Sequence, residues 1–315
     1  MDNIKRFDIA VQSLSPRLSS VFLSMDNSLK EKIQEIRIRS ENSVVVVCGK
    51  ESKFVSKTGR LTDVYSDLNI KTDANEITDI FRRLCGYSVH SFTDAINRGY
   101  ITVPGGHRAG VAGTAVSENG KITAVRDICC INLRIAREIK GSADEIYGNL
   151  FSEGLSSVII AGPPSSGKTT ILRDLVRQLS GVERGRMYKT FVCDERGEIG
   201  AAVSGIPQND LGLNTDLISS YPKGDGIIIG LRSFSPDIVI CDEIATDEEV
   251  YAVESGLNSG VCFALSIHAR DERELRSKQI MKRLLKSGAF ANVVLLSSAD
   301  AGKIEKIYGA GELID

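Results

Sequence analysis

The stretch "SVIIAGPPSSGKTTILRDLVRQLSG", residues 157–181, constrains the fold more than any other part of the chain. Its opening apolar run reads as a buried strand. Ile171, Leu172, Leu175, Val176 and Leu179 then recur on one face of a helix that Gly181 ends. Between strand and helix lies a loop of the form Gly-x-x-x-x-Gly-Lys-[Ser/Thr]. In such a loop glycines let the backbone close around phosphate oxygens, successive N–H groups point at them, and the following helix adds positive potential. Gly162, Pro163, Ser165, Ser166, Gly167, Lys168, Thr169 and Thr170 are therefore the candidate nucleotide contacts. Lys168 is expected to reach the β/γ-phosphates and Thr169 to ligate Mg²⁺. A plain strand-to-helix turn is the bland alternative.

The rest of the second half extends this pattern. Apolar runs "TFVCD", "DIVICDE", "CFALSIHA" and "NVVLLSS" alternate with helical or loop stretches, the rhythm of a mostly parallel sheet with helices on both faces. The first half differs. "EIRIR" and "SVVVVCG" suggest two β segments, and "ANEITDIFRRLCG" an amphipathic helix using Ile77, Ile80, Phe81 and Leu84. The stretch from Gly99 to Glu138 alternates apolar and polar residues around turn signals at 104–106 and 118–120, as in an antiparallel meander. The expected architecture is thus an α/β protein: a P-loop core at 146–315, whose extra strand "TFVCD" ending in acids between "GPPSSGKTT" and "DIVICDE" suits the RecA-like branch, preceded by a smaller α+β domain at 1–145.

Composition narrows the function classes. With 39 basic and 41 acidic side chains the net charge is −2, no tryptophan is present, and aromatics make up 6%. That offers no strong nucleic-acid signal, neither a basic field nor stacking platforms. The seven cysteines include no Cys-x-x-Cys pair and read as reduced core residues. "MDNIKRFDIAVQS" does not resemble a secretory leader, and no apolar run approaches the roughly 18 residues of a membrane span, so no transmembrane segment is expected.

Three further motifs carry chemistry. "DIVICDE" ends an apolar strand in Asp242 and Glu243, suited to hold Mg²⁺ through water and to polarise an attacking water, although such a pair also serves as a helix cap. "TFVCDERGE" places Asp194, Glu195 and Glu198 at another strand end, where a solvated turn is the alternative. "LSIHA" brings His268 to the carboxyl edge of the sheet, where ligands of open α/β sheets bind, with Ser266 on the same strand face. His268 is then a γ-phosphate sensor candidate, and a structural histidine otherwise.

In this order the motifs resemble those of the secretion ATPase superfamily, the hexameric motors of type II secretion, type IV pili and type IV secretion. "GPPSSGKTT" matches the Walker A run, "DERGE" the aspartate box, "LRSFSPDIVICDEI" the approach to Walker B, including Arg232, and "ALSIHA" the histidine box. "EIRIR", "ITVPGGHRAGVAG" and "YPKGDGII" are similar to a sporulation-specific branch found in endospore-forming bacteria. Asp194 stands where the pilus and secretion motors usually carry Glu, so water activation is divided between Glu195 and Glu243. Ser266 replaces the usual Thr, and no four-cysteine zinc module is present.

The resemblance implies an enzyme that binds ATP and Mg²⁺ and forms a homo-hexamer. It further implies a peripheral position at the mother-cell face of the forespore membrane, energising a channel with integral membrane partners. Arg232 carries over as a catalytic candidate. Arg134 and Arg137 are candidate triphosphate partners, because guanidinium pairs bidentately with phosphate. Their odd spacing keeps them off one strand face. Tyr221, Pro222 and Lys223 are expected at the tip of a loop facing the ring axis or a partner. A nucleic-acid-dependent RecA-like motor and a nucleotide-gated scaffold with little hydrolysis are the rival readings.

Overall fold

The computed structural model describes residues 2–314. The chain divides into two compact units, the first ending at Glu138 and the second beginning at Ile139, a few residues before the expected boundary.

In the first unit, helices Asn3–Gln12 and Pro16–Leu23 are opened by Asp2 and Ser15, whose side chains accept the N–H three residues on. They bury Phe7, Val11, Leu18 and Phe22. The strands are β1 (Ile33–Arg39), β2 (Asn42–Ser43), β3 (Val45–Cys48), β4 (Glu51–Val55), β5 (Leu61–Thr62), β6 (Lys71–Thr72), β7 (Tyr100–Val103), β8 (His107–Glu118) and β9 (Lys121–Arg134). Seven of them form one sheet in the order β5-β4-β3-β1-β9-β8-β7, with all neighbours antiparallel, while β2 pairs with β6. Alternation along β1 buries Ile36 and Ile38 and leaves Arg37 and Arg39 outward. Helix Ala74–Leu84 buries Ile77, Ile80, Phe81 and Leu84, the face the spacing predicts. At the β8–β9 tip Asn119 and Gly120 both have positive φ, as a two-residue hairpin of matching twist requires.

His107 opens β8 inside this core, and its Nδ1 accepts the Ala136 N–H at 2.9 Å. Burial, and then the charge of Arg6, hold its pKa down at about 4 against an ordinary 6.5. Between these values the unfolded chain binds more protons than the folded one. Stability therefore falls as pH drops from about 6.5 to about 4, in all by roughly 3 kcal/mol. His107→Asn, whose Oδ1 can accept the same N–H, should lose less thermal stability across this window than the wild type. Identical pH slopes in melting experiments would show that His107 is not responsible.

The second unit is built on β10 (Ser157–Gly162), β11 (Thr190–Asp194), β12 (Thr215–Ser219), β13 (Ile238–Cys241), β14 (Cys262–His268), β15 (Phe290–Leu296) and β16 (Ile304–Gly309). The order is β12-β11-β13-β14-β10-β15-β16, parallel throughout except for β15–β16. The sheet is therefore mixed. Val158 and Ile160 face one apolar layer, with helix Lys168–Ser180, whereas Ile159 and Ala161 face another, with helices Lys223–Ser233 and Asp247–Leu257. Both faces are covered, which is why these strands read as unbroken apolar runs.

Sequence reasoning did not anticipate β12 or β16. Each is an edge strand, β12 with no buried residue and β16 with Tyr308 alone buried, so neither carries the apolar run that marked the central strands. Helix Lys223–Ser233 lies close on β11. A Cβ added at Gly226 would come 2.5 Å from Cys193 Sγ, and one at Gly230 would come 2.4 Å from the Phe191 ring. These glycines, four residues apart, let the helix settle onto the strand and bring its first residue, Lys223, to the carboxyl edge of the sheet. Lys223 is accordingly buried, contrary to its expected place at an exposed tip; Tyr221 and Pro222 remain exposed.

All seven cysteines are free. Cys85, Cys193 and Cys241 are buried, but Cys129 is exposed, so the core reading does not extend to it. Burial raises the Cys193 thiol to about 12 and Cys241 well above its ordinary value, which leaves both protonated and unreactive. Among the described residues no helix is long and apolar enough to cross a membrane.

Candidate functional site

β10 delivers the chain to Gly162, and the loop then turns through Ser165 and Gly167, both with positive φ, before helix Lys168–Ser180 begins. The first N–H groups of a helix have no partner within it, so this turn aims unpaired donors at the loop's hollow. There is no room for larger residues: a Cβ at Gly162 would lie 2.4 Å from Ser166 Oγ, and one at Gly167 would lie 2.9 Å from the Gly302 backbone nitrogen. The β15–β16 connection braces the loop from behind, where the Gly302 N–H donates to the Ser166 carbonyl at 2.8 Å. Ser166 Oγ is itself buried without a hydrogen-bond partner. Lys168 Nζ donates to the carbonyls of Gly162 (2.9 Å) and Pro163 (2.8 Å), lying across the hollow. Burial lowers its pKa, while Asp242 and Glu243 oppose that shift. Thr170 contributes its carbonyl to the Ser142 hydroxyl.

Two strands away, β13 ends immediately before Asp242. One Asp242 carboxylate oxygen accepts the Thr169 hydroxyl and the other the Ser266 hydroxyl, so P-loop helix, β13 and β14 meet on one carboxylate. Ser266 Oγ in turn accepts the Glu243 N–H at 2.8 Å. Glu243 has φ +51, a conformation that disfavours a residue with a Cβ and persists only where its surroundings enforce it. Its carboxylate is ion-paired with Arg196. His268 ends β14 in register with Gly162 of β10, and the Ala269 N–H donates to the Gly162 carbonyl at 3.2 Å. His268 therefore shares the sheet edge from which the P-loop springs.

The tip of β11 completes the cluster. Asp194 is buried, and its two oxygens accept the backbone N–H groups of Glu198 (2.8 Å), Ile199 (3.2 Å) and Gly200 (2.8 Å). A carboxylate so engaged shapes the loop after β11. Glu195 is more exposed and lies 3.7 Å from Lys223 Nζ. Together with Glu198, Asp242 and Glu243, these side chains line a small cleft between the β11 and β13 tips.

Other expected residues lie elsewhere. Arg232 is exposed in the last turn of helix Lys223–Ser233. Nine residues beyond Lys223, it sits about 13 Å further along the axis, toward the opposite edge of the sheet. Within one subunit it does not join the cluster. In the first unit, Arg134 ion-pairs with Glu35 at 3.0 Å and stays largely exposed. Arg137 donates to the carbonyls of Lys30 and Ile33.

Sequence reasoning missed Arg196 as the partner of Glu243 and Lys223 as a buried member of the cluster. One signal was present for Lys223: a lysine directly after Pro222 at a helix start, where the dipole disfavours a cation.

A family model described as "Sporulation stage III, protein AA" matches residues 5–313. The stage III sporulation protein AA of Bacillus subtilis (strain 168) is 34% identical over 294 residues, covering 90% of this chain and 92% of that protein. Among solved structures, the Legionella pneumophila ATPase DotB is similar with a TM-score of 0.52 at 16% identity, over 86% of this chain and 75% of that one. The pilus retraction motor PilT, solved with bound ADP, gives 0.53 at 14% identity, over 85% and 76%. At these identities the likeness is one of fold, a multi-domain α/β architecture resembling RecA-like P-loop ATPases. Over nearly its whole length, the chain belongs to the Sporulation stage III, protein AA family.

Proposed function

We propose that this protein is a Mg²⁺-dependent ATPase that works as the motor of a sporulation-associated secretion or assembly apparatus. The observation that carries the reading is the single carboxylate of Asp242 joining the P-loop hydroxyl of Thr169 to Ser266 of β14. A strand-to-helix turn with no ligand has no need of that convergence. The orphaned Ser166 hydroxyl and the left-handed Gly167 at the helix start fit a phosphate-bearing ligand equally well.

In this reading the backbone of 162–170 and Lys168 hold the phosphates. Thr169 and, through water, Asp242 would hold the metal. When bound, Mg²⁺ would supply neutralisation of the phosphate charge. Glu243 is the water-activating acid, with Glu195 on the adjoining strand as the alternative, and His268 senses the occupied P-loop from the same edge. Arg134, exposed at the end of β9, remains the first-unit candidate for a phosphate.

Membership of a sporulation family supports the remaining points: a hexameric ring, a peripheral place at the mother-cell face of the forespore membrane, and integral membrane partners. Mg²⁺-dependent phosphate release, with mass followed by light scattering, tests the proposal. Turnover with growth toward a six-subunit mass on adding ATP is expected. A ring that forms on ATP without releasing phosphate would favour the gated scaffold, a reading to which the Arg196–Glu243 pair lends some support. Strong stimulation by single-stranded DNA that fades with salt would favour a nucleic-acid motor.

A further inference from the structure

Lys223 occupies a position that its own helix disfavours. It is the first residue of helix Lys223–Ser233, where unpaired N–H groups and the dipole already present positive potential, and it is buried as well. Both conditions oppose an ammonium group, so its surroundings must supply compensating oxygens. They come from three elements. Nζ donates to the Glu243 carbonyl at 2.7 Å, lies 3.4 Å from Glu249 Oε1 and lies 3.7 Å from Glu195 Oε2. Lys223 thereby ties the tip of β11 to the segment following β13 and to helix Asp247–Leu257.

The tie falls where the backbone is strained. Glu243, at φ +51, is held on its N–H side by Ser266 Oγ and on its carbonyl side by Lys223. The next residue is also fixed, since the Ile244 N–H donates to the Ser266 carbonyl at 2.9 Å. Glu249 continues the frame: its Oε2 accepts the N–H groups of Ala245 (2.7 Å) and Thr246 (3.1 Å), while its other oxygen faces Lys223. Removing the ammonium leaves the Glu243 carbonyl without this donor and frees the peptide to relax out of the left-handed region, which re-aims the side chain.

We infer that Lys223 is a positioning residue for hydrolysis, fixing the direction of the Glu243 carboxylate without contacting nucleotide. The inference rests on the ATPase reading above. It separates two properties that share the cluster: phosphate holding belongs to 162–170, whereas aiming the water-activating acid depends on Lys223.

The test uses the full-length protein and ATP with Mg²⁺. Lys223→Met should lower kcat by about 10- to 100-fold, the scale of a small misplacement of a catalytic group, while KM and ATP affinity stay within about twofold. In a Glu243→Gln background, Lys223→Met should have almost no further effect on the residual single-turnover rate, because the group it positions is already gone. If the Met variant does not fold, Lys223→Arg takes its place. It keeps the charge on a longer planar group that cannot meet the Glu243 carbonyl in the same way, and it too should lose turnover while holding ATP. A folded Lys223 variant with wild-type kcat overturns the inference, as does an effect that multiplies undiminished with Glu243→Gln. Failure of the wild type to release phosphate would instead bring down the ATPase reading and this inference together.

Discussion

Lys168→Ala is expected to abolish measurable phosphate release and to weaken ATP binding by roughly 30- to 150-fold. The estimate corresponds to about 2–3 kcal/mol for the charge-assisted hydrogen bonds an ammonium makes to phosphate. In the protein itself Nζ rests on the Gly162 and Pro163 carbonyls. These weak neutral acceptors can be exchanged for phosphate oxygens without moving the helix. The substitution should cost the fold little, since burial already lowers the Lys168 pKa and its removal relieves that desolvation. Unchanged melting alongside lost binding is therefore the expected pair of results, measured by thermal denaturation and by equilibrium titration with a fluorescent ATP analogue. Normal turnover in this variant would remove the P-loop from the mechanism.

How far the site could be read from sequence depends on how local each part is. Residues 162–170 form their turn from consecutive residues, and the positive φ at Gly167 is what a glycine at that place supplies. Asp242 and His268 were legible for a related reason: each stands at the end of an apolar run, and parallel strands put such ends along one edge. Asp194 satisfied the same pattern, yet its carboxylate serves the N–H groups of 198–200, a role fixed by loop curvature and invisible in spacing. Lys223 was misplaced. Nothing in "YPKGDGIIIGLRSF" announced that Gly226 and Gly230 would seat a helix on β11 and bury its first residue. β12 and β16 escaped notice because edge strands need little apolar content.

Glu243→Gln should produce the opposite phenotype to Lys168→Ala: ATP affinity within a few-fold of wild type, with hydrolysis slowed by about 10²–10⁴, the usual contribution of a general base. Gln keeps the volume, the backbone strain and the backbone bonds to Ser266 and Lys223, so the cradle and Asp242 are left as they were. What it removes is the basic oxygen and the ion pair with Arg196. Geometry favours Glu243 over Glu195 for this part. Asp242, its neighbour, touches Thr169 of the P-loop helix, whereas Glu195 follows β11, one strand further from β10 in the sheet, a separation of about 4.8 Å. Glu195→Gln should accordingly keep most of the turnover. The reverse ranking, with Glu195→Gln inactive and Glu243→Gln turning over, would move water activation to the β11 tip and leave Glu243 as a strained structural corner held between Ser266 and Lys223.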